Sequence, residues 1–155
     1  MERRLLVILM SLLLRSQYGC RNPDYPNASV ESQEISSILS DCKILLINTY
    51  LKYIQYASND FYNEYFTISP TVAYYYVWVK EISSDKSTNP TSLITFISMP
   101  FVGPHDTVGI DEITFSADYT GKIKLKEFQH IKSYSLPDNL KSLMKKPIPG
   151  EYEAL

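Results

Sequence analysis

The hydrophobic pattern of this chain changes its period once, and that change restricts the possible folds more than any other feature. From Ser32 onwards, apolar residues recur at the spacing of one helical face, which comprises Ile35, Ile38, Leu39, Cys42, Leu45, Leu46, Thr49, Tyr50, Tyr53, Ile54 and Ala57. After Pro70 the pattern alternates with a period of two, which is typical of strands. One long helix followed by several strands predicts an α+β fold, with the helix laid across one face of an antiparallel sheet.

Local signals divide these two regions further. The cluster Ser58-Asn59-Asp60 is able to kink or interrupt the helix, so that a second short helix containing Phe61, Tyr62, Tyr65 and Phe66 would follow and end at Pro70. Residues 71–82 are apolar on both faces over most of their length, which predicts a central strand. Residues 91–102 form a second strand, and Pro100 near its end marks an edge strand, a bulge or the limit of the strand.

The next two strands form the clearest local prediction. If Tyr119-Thr120-Gly121 is a three-residue hairpin loop with Gly121 left-handed, Ala117 faces Ile123 and Phe115 faces Leu125. The alternation breaks at Lys126-Glu127, which predicts either a bulge or the end of the strand before Gln129-His130.

Together these elements predict a single domain over residues 34–146. It has a four-stranded antiparallel sheet, a long N-terminal helix that the kink would divide in two, and a short C-terminal helix. The C-terminal helix contains Leu136, Leu140, Leu143 and Met144 and ends before Pro147, which begins a tail over residues 147–155. This arrangement resembles the cystatin-like or nuclear-transport-factor-like cone, a likeness of architecture alone.

The N-terminus has the pattern of an export signal over residues 1–19, with Arg3 and Arg4 before an apolar run at residues 5–14. Residues 20–33 then form a polar linker. We therefore expect a secreted or extracytoplasmic protein. Cys20 is a candidate lipidation site, which would make the protein a membrane-anchored lipoprotein, or it pairs with Cys42 in a disulfide. The interpretation we favour is that Cys42 is a small buried residue on the helix's apolar face.

Composition excludes some classes of partner. The net charge of −2 is too small to predict a nucleic-acid partner, and a membrane is expected only through the export signal or a lipid on Cys20. The chain has 13 tyrosines, and Tyr74-Tyr75-Tyr76-Val77-Trp78 could line a groove for sugars or peptides or fill the gap between sheet and helix.

Residues 100–109 form the most unusual loop, with two glycines, two prolines and His105 between strand-like runs. Glycine and proline restrict such a loop to a preformed turn. The candidate binding residues are Phe101, His105, Asp106, His130 and Tyr134. The two imidazoles and Asp106 would suit a metal or acid/base site if they converged. The simpler interpretation, which we favour, is that His105 bonds within its own loop.

Four stretches, residues 93–96, 100–109, 111–115 and 129–137, resemble a family of small exported proteins from Bacillus and related bacteria. This family is known only as a domain of unknown function, number 3888, and the resemblance covers residues 35–140. It implies export and a bacterial source. It implies no activity and no catalytic residues.

The sequence therefore predicts a non-catalytic binding or interaction module of the cell envelope or exterior, with an unknown protein, peptide or small-molecule partner. No catalytic residue, metal or cofactor is assigned. The alternative is a small hydrolase-like enzyme in which His105 and His130 have acid/base roles.

Overall fold

A computed structural model describes residues 28–150 and 152–153, with side chains from residue 36 to 150. The chain divides into two compact units after Ile38, and the second unit, Leu39–Leu155, contains every strand. The predicted export signal, Cys20 and most of the predicted linker lie outside the described residues.

Helix α1 spans Ala28–Tyr62 without interruption. Two boundaries predicted from the sequence were wrong. The helix begins four residues before Ser32, so the end of the predicted linker is helical, and it continues without interruption through Ser58-Asn59-Asp60. Ser58 is fully buried, so packing of the helix against the rest of the unit outweighs the weak helix propensity of these three residues.

Only the C-terminal half of α1 has its predicted face buried. Tyr50, Ile54 and Ala57 enter the core, whereas Leu39 and Leu45 are exposed. Cys42 is exposed as well, so the prediction of a buried thiol was wrong. The core against which the helix packs begins at Leu46, and residues 36–45 are exposed. None of the helices described is long and apolar enough to cross a bilayer.

The sheet confirms the predicted α+β class, with a long helix on a four-stranded antiparallel sheet. The strands are β1 (Val77–Ser84), β2 (Ser92–Ser98), β3 (Phe101–Val102), β4 (Asp106–Thr107), β5 (Gly109–Ala117), β6 (Ile123–Tyr134) and β7 (Tyr152–Glu153). The sheet order is β1-β2-β5-β6-β7, in which β7 alone is parallel to its neighbour, and β3 and β4 form a separate ribbon. Strand β7 lies within the predicted tail and adds to the predicted sheet.

Three other predicted elements differ from those observed. The predicted central strand is the edge strand β1, and its first residues form a 3₁₀ turn at Tyr74–Tyr76. Strand β2 ends at Ser98, two residues before Pro100, and β3 begins at Phe101. The C-terminal helix is a 3₁₀ turn at Asp138–Leu143.

The hairpin between β5 and β6 confirms the prediction in register and turn. Ala117 pairs with Ile123 and Phe115 with Leu125, and Gly121 has a φ of +80°. Thr114 pairs with Glu127, so the predicted bulge is present, with Lys126 as the extra residue.

The buried apolar residues form two clusters. The first lies between α1 and the sheet and includes Tyr50, Ile54, Phe96 and Phe115. The second joins the end of α1 to the β3–β4 ribbon and the C-terminal segment, through Tyr62, Phe66, Val102, Val108, Leu136 and Ile148. His105 lies in the turn that follows Val102 of this second cluster, whereas His130 lies on β6, whose Ile123 and Phe128 pack on the first cluster.

Candidate functional site

The two histidines lie in different side-chain clusters. The ring of His105 packs on Phe101, with centroids 4.7 Å apart, whereas the ring of His130 stacks on Phe61 at 5.1 Å. Among the described residues, no hydrogen bond or ring contact joins the two clusters. Of the predicted site residues, the structure thus brings Phe101, His105 and Asp106 together on the β3–β4 ribbon and places His130 and Tyr134 on β6.

Backbone hydrogen bonds hold the base of the His105 loop. The Thr71 and Phe101 amides each donate to the other residue's carbonyl, at 2.8 and 3.0 Å, and the Val108 amide donates to the Pro100 carbonyl at 2.9 Å. Val102 pairs with Asp106, which leaves residues 103–105 as a tight turn. This agrees with the prediction of a preformed loop.

His105 has a φ of +81°, and it is the one non-glycine residue with positive φ in the part of the chain that the structure describes. This conformation costs a non-glycine residue about 1 kcal/mol or more in conformational free energy. The ring contact with Phe101 and a 3.3 Å hydrogen bond between Tyr75 Oη and His105 Nδ1 offset that cost. The loop therefore holds a strained residue in one position with its imidazole exposed.

Two tyrosines from the first 3₁₀ turn extend this surface. Tyr74 is 59% exposed and Tyr75 is 47% exposed, and the Tyr75 ring lies 5.2 Å from Tyr74 and 5.9 Å from His105. We call Tyr74, Tyr75 and His105 the aromatic platform. These tyrosines do not fill the gap between sheet and helix, which was the alternative from the sequence.

Gly103 is expected to be essential to the shape of this loop. It has a φ of +55°, and an added Cβ would lie 3.1 Å from Leu140 Cδ1. We expect Gly103→Val to lower the free energy of unfolding by about 1 kcal/mol or more in urea denaturation. His105→Gln, which keeps a hydrogen-bonding side chain, should cost less. A Gly103 variant as stable as the wild type would contradict this.

His130 belongs to a chain of hydrogen bonds that we call the buried polar network. His130 Nδ1 lies 2.7 Å from Asp111 Oδ1, which also accepts from Tyr62 Oη at 3.1 Å. On the other side of the ring, Nε2 lies 2.8 Å from Ser133 Oγ, and that hydroxyl donates to the Pro149 carbonyl at 3.3 Å. The network joins the end of α1, β5, β6 and the C-terminal segment.

Asp111, Ser133 and Tyr62 were not among the residues predicted from the sequence. Residues three apart on a regular strand point to opposite faces. Asp111 pairs with His130 and Ile110 with Lys132, so Ile131 is the extra residue of a second bulge, which returns Ser133 to the His130 face. The sequence signal that could have indicated this second bulge is a break in the alternation of side chains between His130 and Ser133.

The surroundings of Asp111 disfavour its charged form. Burial raises the pKa of this carboxyl above its ordinary value, against the opposing effect of the His130 and Tyr62 hydrogen bonds. Asp111 Oδ2 has no hydrogen-bond partner among the described residues, and neither does Ser98 Oγ, which lies opposite in the β2–β5 register. Burial also raises the pKa of Tyr62, so its hydroxyl remains a donor.

The order serine, histidine, aspartate is that of a hydrolytic triad. However, Ser133 is fully buried and its hydroxyl is also bonded to the Pro149 carbonyl, so a substrate has no path to Oγ. We expect the wild type to hydrolyse p-nitrophenyl acetate no faster than Ser133→Ala. A tenfold lower rate in the variant would show that Ser133 acts as a nucleophile.

The described residues were also compared with the requirements of a metal site. In residues 28–150 and 152–153, no group of three or more histidine, cysteine, aspartate or glutamate side chains is arranged to hold a metal ion.

Comparison with known proteins assigns a family. A family model described as protein of unknown function (DUF3888) matches residues 42–132, which is more than half of the chain. The chain belongs to DUF3888. This confirms the resemblance drawn from the sequence. The DUF3888 match includes the His105 loop, Asp111 and His130 and ends one residue before Ser133. No curated protein and no solved structure matches the chain significantly.

Proposed function

We propose that this DUF3888 protein is a non-catalytic, exported binding module that recognises an extended peptide through the aromatic platform. The observation that supports it most is the strained backbone of His105, whose φ of +81° holds an exposed imidazole against Phe101 and Tyr75. Glycine would adopt the same conformation at lower cost. We therefore infer that the His105 side chain makes interactions that compensate for the strain.

The sheet next to the platform favours a peptide over other ligands. Strand β1 directly follows Tyr74–Tyr76 and is the edge of the sheet, and no strand in the described part of the chain pairs with its outer side. An extended peptide could pair with that edge while its side chains contact the exposed rings. Tyrosine offers large rigid contact area together with a hydroxyl for hydrogen bonding.

The test is to select peptides from a display library of random dodecapeptides and measure binding of the enriched ones by the fluorescence of Trp78, the single tryptophan, which is 46% exposed on β1. We expect Tyr75→Ala and His105→Gly to weaken binding about tenfold, which corresponds to about 1.4 kcal/mol. His105→Gly relieves strain as it removes the ring, so its stability should stay near that of the wild type.

Tyr119→Ala is the matched control, because Tyr119 is also an exposed tyrosine, at 66%, and it lies in the β5–β6 hairpin loop. Failure to enrich any peptide, or equal binding by the platform variants and the control, would contradict the proposed function.

Export is part of the same proposal and is supported by the pattern of residues 1–19. Fractionation of cells that produce the full chain tests it, since a cytoplasmic protein would contradict export. In the same experiment, loss of membrane association in Cys20→Ser would identify Cys20 as a lipid anchor, and unchanged fractionation would exclude that role.

A further inference from the structure

An open cavity of about 450 Å³ lies in the C-terminal part of the fold, where residues between Ser135 and Pro147 line it. Its apolar lining comes from Leu136, Met144 and Pro147, and three lysines line it as well, Lys141, Lys145 and Lys146. A volume of this size falls within the range of small-ligand sites. We call it the lysine-rimmed cavity.

Backbone hydrogen bonds hold the walls of this cavity in place. The Thr67 amide donates to the Leu143 carbonyl at 2.8 Å, and the Lys145 amide donates to the Tyr65 carbonyl at 2.7 Å. Met144 forms a bridge with Phe66 between these two bonds. Leu136 and Met144 also belong to or pack on the second core cluster, so the apolar lining is continuous with the protein interior. The cavity is therefore preformed.

The lysines give the cavity an excess of positive charge. Lys141 is paired with Asp138 at 2.7 Å and Lys146 with Glu64 at 2.9 Å, and all four side chains are at least half exposed. Exposed pairs of this kind contribute little and are readily exchanged for another anion.

Lys145 provides the charge that remains. Its ammonium donates to the Asn63 carbonyl at 2.9 Å, and no carboxylate in the described part of the chain forms an ion pair with it. A neutral carbonyl oxygen does not balance a full positive charge, so Lys145 is the lysine of the cavity that is free to pair with an incoming anion.

We propose that the lysine-rimmed cavity binds a free anionic amphiphile of the fatty-carboxylate class. Its alkyl chain packs on Leu136, Met144 and Pro147, and its headgroup pairs with Lys145. Apolar lining alone would accept an uncharged chain, and lysines alone would accept a small anion. The combination selects a molecule that has both parts. This proposal does not depend on the aromatic platform or on peptide binding.

The experiment is a calorimetric titration of the protein with dodecanoate below its critical micelle concentration. Two probes separate the parts of the ligand: dodecyl maltoside has the same chain with an uncharged head, and acetate has the head without the chain. We expect dodecanoate to bind and the other two to bind at least tenfold more weakly.

Lys145→Gln should weaken dodecanoate binding about tenfold, and Met144→Gln should weaken it as well, because one loses the ion pair and the other the apolar contact. Lys124→Gln, which removes an exposed lysine from β6, is the matched control and should leave the affinity unchanged. Circular dichroism of each variant confirms that the fold is intact before titration.

Three results would overturn the proposal: no binding of dodecanoate, equal binding of dodecyl maltoside, or equal affinity of the Lys145 and Lys124 variants. The protein could also bind anionic vesicles in a way that free dodecanoate does not inhibit. That result would assign the lysines to a membrane surface and would overturn the proposal as well.

Discussion

Gly109→Ala is expected to lower the free energy of unfolding by about 3 kcal/mol or more. A Cβ at this position would lie 2.5 Å from His130 Cε1, 2.5 Å from the Lys132 carbonyl oxygen and 2.8 Å from the Tyr62 hydroxyl oxygen. The carbonyl belongs to the backbone of β6, and the other two atoms belong to the buried polar network. Relief of the overlap therefore requires breaking buried hydrogen bonds, which adds to the steric cost.

Gly121→Ala is the control for the glycine-to-alanine change itself. Gly121 has a φ of +80° but no atom within 4 Å of an added Cβ, so the variant should lose only about 1 kcal/mol from backbone strain. Urea denaturation of both variants gives the comparison. Equal losses would show that the fold relieves the overlap at Gly109 without breaking the buried hydrogen bonds.

Asp111→Ala should cost about 3 kcal/mol or more, because Tyr62 Oη and His130 Nδ1 would both lose their hydrogen bond to Asp111 inside the core. Asp111→Asn should behave differently. Its amide oxygen can accept the same two hydrogen bonds, and its amide nitrogen would occupy the Oδ2 position, where the carboxylate oxygen has no partner among the described residues.

The asparagine variant also predicts a pH dependence. Burial raises the pKa of Asp111 above its unfolded value near 3.8, so its contribution to stability is fully present below that value and is lost as pH rises through the folded pKa. We therefore expect Asp111→Asn to gain stability relative to the wild type as pH rises above about 4.

Urea denaturation of the wild type and of Asp111→Asn from pH 3 to pH 8 tests this. The same pair in a His130→Gln background removes the imidazole that bonds to Asp111, and the Tyr62 hydroxyl remains protonated throughout because burial raises its pKa. A stability difference that does not change with pH, or that changes in favour of aspartate, would mean that Asp111 is ionised in the fold at no cost.

The two sets of variants also separate structure from function. The buried polar network is enclosed and joins four segments, so its variants should affect unfolding, whereas the aromatic platform is exposed and its variants should affect binding. If a variant of the aromatic platform destabilises the fold, those rings have a structural role and not a binding role.

Sequence and structure agree where the deciding interactions are local. The β5–β6 hairpin is specified near its turn by a glycine that tolerates positive φ and by the alternation of the flanking residues, and its register follows from the sequence. The helix, the strand-rich second half and the DUF3888 resemblance are equally visible there, since each rests on periodicity or on a contiguous motif.

The features that only the tertiary structure decided depend on contacts between distant segments. Ser58-Asn59-Asp60 stays helical because Ser58 is buried, and the tyrosine-rich run became a turn and an edge strand because no partner covers its outer side in the described residues. The candidate sites follow the same rule. Tyr62, Asp111, His130 and Ser133 meet through two strand registers, a bulge and a helix end, and the lysine-rimmed cavity needs residues 65–67 as its support. Contacts of this kind join residues that are tens of positions apart in the chain. The hydrophobic period of a single segment therefore does not predict them.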